Sequence, residues 1–170
     1  MYNDGMVGGS DLGKFRPTAG SLSARSEVPL MSDIAAIRKD VRQLVDRPFP
    51  VGQLARLSPG IGAGWPAPTD DTFWFLTPIL GPAATIALHR LSASAVLGVH
   101  VWNVDDLAAG LGVQRAKAAD SLVRLAVFGF AEAVDGEFQV ATWVPPLPQP
   151  WRRRLPGHML SFYDERVRAA

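Results

Sequence analysis

The sequence predicts an α+β chain, mainly α, with a small β-hairpin and additional helices at its N-terminal and C-terminal sides. Three observations carry that prediction. Apolar residues recur at helical spacing in several separate segments. Asp135-Gly136 lies between two short alternating arms, which is a strong hairpin signal. Proline and glycine punctuate the helical segments where helices begin or end, at Pro48, Gly81-Pro82, Gly112 and Gly129. With 170 residues, of which 48% are hydrophobic, the chain can build one ordinary core with extensions.

Taken in order, residues 1–30 are rich in Gly and Ser and lack apolar periodicity, so a flexible arm is expected there, and Met31 is a second candidate start. From 31 the character changes. Ser32 is a candidate cap, and Ile34, Ile37, Val41, Leu44 and Val45 recur at helical spacing up to Pro48, while Arg38, Lys39, Asp40 and Arg42 take the other face. An amphipathic helix followed by a Pro/Gly-rich linker is expected over 31–71, with room for a short helix around Val51–Leu57. The run "GIGAG" within it has Pro59 before it and "WPAP" after it, not the strand and helix that a nucleotide fingerprint needs.

A compact domain is expected over 72–148. Thr72 to His89 contains no Asp, Glu, Lys or Arg, but it is broken by Pro78, Gly81 and Pro82, so it reads as two short buried helices and not as a membrane span. Pro82 suits the first turn of the second of these, with Ile86, Leu88 and Leu91 inward. Leu97–Trp102 reads as a short strand. Asn103 caps a short helix with Asp105 and Asp106 in its first turn, and that helix stops at Gly110 or Gly112. Arg115–Phe128 is the next helix, and the hairpin follows Gly129. Over 149–170 a basic run, Arg152–Arg154, precedes a last helix from Gly157 to Arg168, with Met159, Phe162, Tyr163 and Val167 on its apolar side.

Charge and composition narrow the function. There are 17 basic and 16 acidic residues, so bulk attraction to nucleic acid is not built in. Arginine exceeds lysine by 14 to 3. The absence of cysteine removes disulfides, thiolate metal sites and cysteine nucleophiles. His89, His100 and His158 share no metal-ligand spacing, and no nucleophile motif accompanies them, so neither a metal, a cofactor nor a catalytic residue is expected. No apolar leader opens the chain, and a cytoplasmic location is expected. The five tryptophans, Trp65, Trp74, Trp102, Trp143 and Trp151, read as core or interface anchors.

The stretch "VDDLAAGLGVQRAKAADSLVRLAVFGFAEAVDGEFQV" resembles the winged helix-turn-helix of transcription regulators. Leu107, Ala108, Leu111 and Val113 match that family's first motif helix and turn. Ala118, Leu122 and Leu125 match the buried line of its recognition helix, and Gly129-Phe130 matches the exit into the wing. Pro82 to Thr142 match in order of elements, with a looser likeness to small winged-helix proteins of actinobacteria and their phages. The resemblance implies a dimeric regulator that binds double-stranded DNA without chemistry. Gln114, Arg115, Lys117 and Arg124 of the recognition helix would contact DNA, with Arg152, Arg153 and Arg154 as a clamp beside the wing.

Other residues support a second reading, a protein-interaction module on the same fold that binds a regulator, polymerase or phage component. Asp120 stands among the outward residues, the hairpin tip carries Asp135 and Glu137, and Ala116, Ala119, Val123 and Val127 form a second apolar line along the helix. A helix apolar on both sides is covered on both sides. Val123 and Val127 are therefore expected at an interface or under another part of the chain.

Overall fold

The computed structural model describes residues 31–58, 63–98 and 100–169. The arm expected over 1–30 lies outside them. The described residues form an α+β structure dominated by helices. Helix α1 spans Met31–Val45. Strand β1 (Phe49–Gln53) and a 3-10 turn at Ala55–Leu57 come next, then β2 (Trp65–Pro66), α2 (Asp70–Leu80), α3 (Pro82–Val96) and β3 (His100–Trp102). Helices α4 (Val104–Leu111) and α5 (Arg115–Val127) lead into the hairpin β4 (Ala131–Val134) and β5 (Glu137–Val140). Strand β6 (Trp143–Val144), α6 (Gln149–Arg152) and α7 (Gly157–Ala169) complete the chain. No helix among the described residues is long and apolar enough to cross a membrane.

Local chemistry accounts for most of these boundaries. The break between α2 and α3 falls at Gly81, whose φ of 76° suits a residue without a Cβ, and Pro82 then occupies the first turn of α3. The Asn103 side chain accepts a hydrogen bond from the Asp106 backbone N–H at 2.7 Å and caps α4. Gly112, at φ 66°, closes α4 in the left-handed conformation. Both turn residues of the hairpin have positive φ, 51° at Asp135 and 80° at Gly136, as a two-residue primed turn requires.

The sheet departs from the sequence expectation. Residues 49–53, expected as linker with a short helix around Val51–Leu57, form a strand inside the main sheet, whose order is β3-β1-β5-β4. Strand β1 runs antiparallel to β3 and parallel to β5. Its sequence, FPVGQ, disguises it because Pro and Gly are poor strand formers. Both are accommodated by position. Pro50 precedes the first residue paired with β5, Val51, so its missing N–H leaves no ladder bond unmade on that side. At Gly52 a Cβ would collide with the Glu137 carboxylate. The strand exists because partners on both sides satisfy its backbone, a tertiary cause.

One continuous core joins all layers. Phe49 and Phe138 meet edge to face with centroids 6.0 Å apart on the inner side of the sheet. Leu88 and Leu91 of α3, Leu107 of α4, and Leu122 and Leu125 of α5 are fully enclosed with them. The Ser92 hydroxyl ties α3 to the carbonyl of Ala141, following β5, at 2.6 Å. At the far end Tyr163 of α7 packs edge-on against Phe75 (5.2 Å) and Trp65 (6.2 Å). Phe162, expected inward on α7, is 45% exposed and lies beside the exposed Trp74 of α2.

Candidate macromolecule-binding face around α5

Helix α5 carries most of the sequence-predicted site. Ala118, Leu122 and Leu125 are fully buried and seat it on α3 and α4. Lys117, Asp120 and Arg124 are exposed on an outward strip, as 100° per residue requires. Val123 and Val127 stand roughly 150° round the helix from the buried line, yet Val123 is only 6% exposed and Val127 is partly buried against the core.

The cover on that side is α1, which packs along α5. Two polar contacts set the direction. The Arg115 guanidinium reaches the Val45 carbonyl at 3.5 Å, and Arg42 pairs with Asp120 at 3.3 Å. Moving backward along α1 thus means moving forward along α5, so the two helices are antiparallel. Viewed down α5, Val123 points between the directions of Arg115 and Asp120, the side on which α1 packs. Val41, Leu44 and Val45 supply its buried side. The two valines, expected from sequence at an interface or under another part of the chain, thus lie on the side of α5 that faces α1, Val123 buried and Val127 partly buried.

The cations expected to face DNA separate into two classes. Arg115 donates to Asp105 at 2.5 Å, the carboxylate being on the first turn of α4. Arg124 donates to the Ile79 carbonyl at the end of α2 at 3.0 Å and stands over the Phe128 ring at 5.5 Å. Arg152 pairs with Asp164 at 2.6 Å and stacks over Tyr163 at 5.6 Å, and its Nε is buried with no partner among the described residues. These three are engaged within the chain. Gln114, Lys117, Arg153 and Arg154 are exposed, and their side chains make no hydrogen bond or ion pair among the described residues.

Nor do the free groups converge. Gln114 and Lys117 stand at the N-terminal end of α5. Trp151 stacks on Phe128 (5.4 Å) and Phe130 (5.7 Å) at the other end, and it carries Arg153 and Arg154 with it. A 13-residue helix separates the two groups by about 18 Å. The hairpin tip adds acid through Asp135, while the Glu137 carboxylate lies over Gly52 and accepts from the Gln139 amide, and Arg56 is engaged with Glu132 on β4. Arg47 is the cation beside the tip, with its Nη2 4.0 Å from where a Cβ on Gly136 would stand.

Arg42, Arg47 and Asp105 therefore belong to this face, although sequence reasoning did not assign them to it. The charge on the outer side of α1 was visible in the sequence, but its neighbour 78 residues along the chain was not. Elsewhere, burial pushes the Tyr163 phenol above its ordinary value of 10.0, outweighing the opposing effects of the hydrogen bond from the Leu147 N–H and of the nearby Arg152 charge.

Comparison with family models, curated proteins and solved structures gave no match.

Proposed function

We propose that this chain is a winged-helix-type regulatory module that works through protein contact, with its would-be recognition helix flanked by its own N-terminal helix. The observation that carries this reading is α1 packed along α5 on the side opposite α3 and α4. A B-DNA major groove about 12 Å wide admits a single helix about 10–12 Å across. With α1 at its side, α5 keeps the strip of Lys117, Asp120 and Arg124 open to such a groove, and Asp120 on that strip repels phosphate. The pairing of Arg115 with Asp105 and of Arg42 with Asp120 further reduces the positive charge offered to phosphate. The acidic hairpin tip acts in the same direction.

The second reading is DNA binding. It is favoured by one observation, that Gln114 and Lys117 remain exposed at the N-terminal end of α5, where the helix dipole attracts an anion. Titration of labelled duplexes across a salt series separates the two readings. Protein contact predicts no saturable binding at low salt, and affinity capture predicts a specific protein that stays bound after nuclease treatment. DNA binding predicts saturable, salt-dependent affinity whose log–log slope flattens by about 1.8 when Arg115 and Lys117 are both changed to Ala, from roughly 0.9 per phosphate contact. That second outcome would replace the proposal.

A further inference from the structure

Among the described residues, the sheet order leaves β3 as an open edge. Native edges are ordinarily guarded by short length, charge, proline, a bulge or a covering element, and of these β3 has its three-residue length. The other edge, β4, has α1 against it and the Glu132–Arg56 ion pair upon it. The β3 edge has no such charge: from Leu91 to Asn103 the sequence contains no Asp, Glu, Lys or Arg. Around it stand the most exposed large aliphatic side chains among the described residues, Leu97 at 81%, Val101 at 70% and Val96 at 54%.

The register shows where the free backbone groups point. Strand β1 pairs with β3 through Phe49↔Trp102, Pro50↔Val101 and Val51↔His100. Antiparallel pairs alternate between hydrogen-bonded and non-hydrogen-bonded, and Pro50 has no N–H to exchange. Pro50↔Val101 is therefore the non-bonded pair. The N–H and C=O of Val101 consequently face away from β1, toward the open edge. The strand is held in place by Trp102, whose indole N–H donates to the Ser94 hydroxyl at 3.0 Å.

We propose that β3 pairs antiparallel with β3 of a second copy of this chain, about a twofold axis at Val101, so that the two sheets become continuous. Identical strands related in this way exchange the two free groups reciprocally, the N–H of each Val101 with the C=O of the other. The charge pattern favours this occupant over a charged one. An uncharged strip faces its own copy with no like charges directly opposed and no ion to desolvate, whereas a charged partner would find no counter-charge here. Leu97 and Val96 extend the apolar contact beyond the strand. One short strand and three aliphatic side chains fall short of the about 800 Å² per partner of a standard interface, so the dimer is weak and concentration-dependent. The inference is independent of whether α5 meets protein or DNA.

The test combines sedimentation equilibrium with cysteine crosslinking of the full chain. The wild-type protein should show a reversible monomer–dimer equilibrium. Val101→Lys should lose the dimer at every concentration and keep its helix content and melting temperature, because the side chain is already exposed. Val101→Thr should retain it. The sequence has no cysteine, so a single introduced thiol reports on its own copy. Two Cα atoms about 5.5 Å apart in a hydrogen-bonded antiparallel pair lie within disulfide range. Val101→Cys should therefore crosslink on mild oxidation, and Val134→Cys on the opposite edge should not. A wild-type protein that stays monomeric at its highest attainable concentration would overturn the proposal. So would a dimer unchanged in both Val101→Lys and Leu97→Lys, or a Val101→Lys change that removes a different protein partner from a monomeric chain.

Discussion

Arg115, Arg124 and Arg152 share a chemistry that sequence alone assigns to phosphate, and in the structure each is engaged within the chain. Their partners are Asp105, the Ile79 carbonyl and Asp164. Arginine is suited to both tasks because its planar fork carries five donors. Exposure of the pair decides the energetic weight: Arg115 and Asp105 are 46% and 68% exposed, so water screens their attraction and the pair positions more than it stabilises. Tyr163 is the better-buried polar group, at 2% exposed, with its hydroxyl accepting from the Leu147 N–H at 2.6 Å. Its folded-state pKa lies above the unfolded value of 10.0, so its contribution is complete below that pH and declines as pH rises through the folded value. Denaturant titrations from about pH 9 to about pH 11 should therefore show falling stability. Tyr163→Phe should remove that phenol's share of the decline, and at neutral pH it should lose about 1–3 kcal/mol because the Leu147 N–H is left unpaired. An alkaline decline unchanged in the variant would assign it to other groups.

Helix α5 is the element on which the functional readings divide. It is apolar toward α3 and α4 through Ala118, Leu122 and Leu125, and apolar again toward α1 through Val123. Helix α1 brings Val41, Leu44 and Val45 to the contact and leaves Arg38, Lys39 and Arg42 in solvent. An amphipathic helix of this kind gains its stability from the face it buries. Val123→Asp should accordingly destabilise the folded chain by about 3 kcal/mol or more, since a carboxylate beneath α1 has no partner. Urea unfolding measured together with sedimentation would check this. Loss of assembly with stability intact would place Val123 at a subunit surface and would remove α1 as its cover. The hairpin follows the opposite pattern. Its turn is local chemistry, Asp135-Gly136 in a primed conformation, and it is correspondingly plain in the sequence.

At the scale of the molecule, strand β1 makes the N-terminal segment inseparable from the rest. By lying between β3 and β5 it ties residues 49–53 to both the strand before α4 and the hairpin after α5. The buried residues accordingly form one cluster that runs from Val41 to Tyr163. Unfolding should be a single transition. Four of the five tryptophans, Trp65, Trp102, Trp143 and Trp151, are partly or fully buried at separate places, so their fluorescence and the far-ultraviolet circular dichroism should report the same midpoint. Distinct midpoints would mean that α1 and β1 detach before the remainder.

The sequence by itself determined the elements whose cause is contiguous: the spacing of Ile37, Val41 and Leu44, the Asn103 cap, the Gly81-Pro82 break, the glycine ends of α4 and α5, and the Asp135-Gly136 turn. Each rests on backbone preferences or hydrogen bonds spanning a few residues, which a linear reading contains. It also marked Val123 and Val127 as a face that must be covered, because the helical period exposes the excess of apolar side chains. The tertiary structure alone decided what covers them, which arginines are engaged, and that a segment reading FPVGQ is a central strand. Those outcomes depend on pairs such as Arg42 with Asp120, 78 residues apart, and on β3 and β5 flanking β1. A strand with poor propensity forms where neighbours on both sides satisfy its backbone, and a cation becomes structural where folding delivers an acceptor to it. Neither condition is a property of the local sequence.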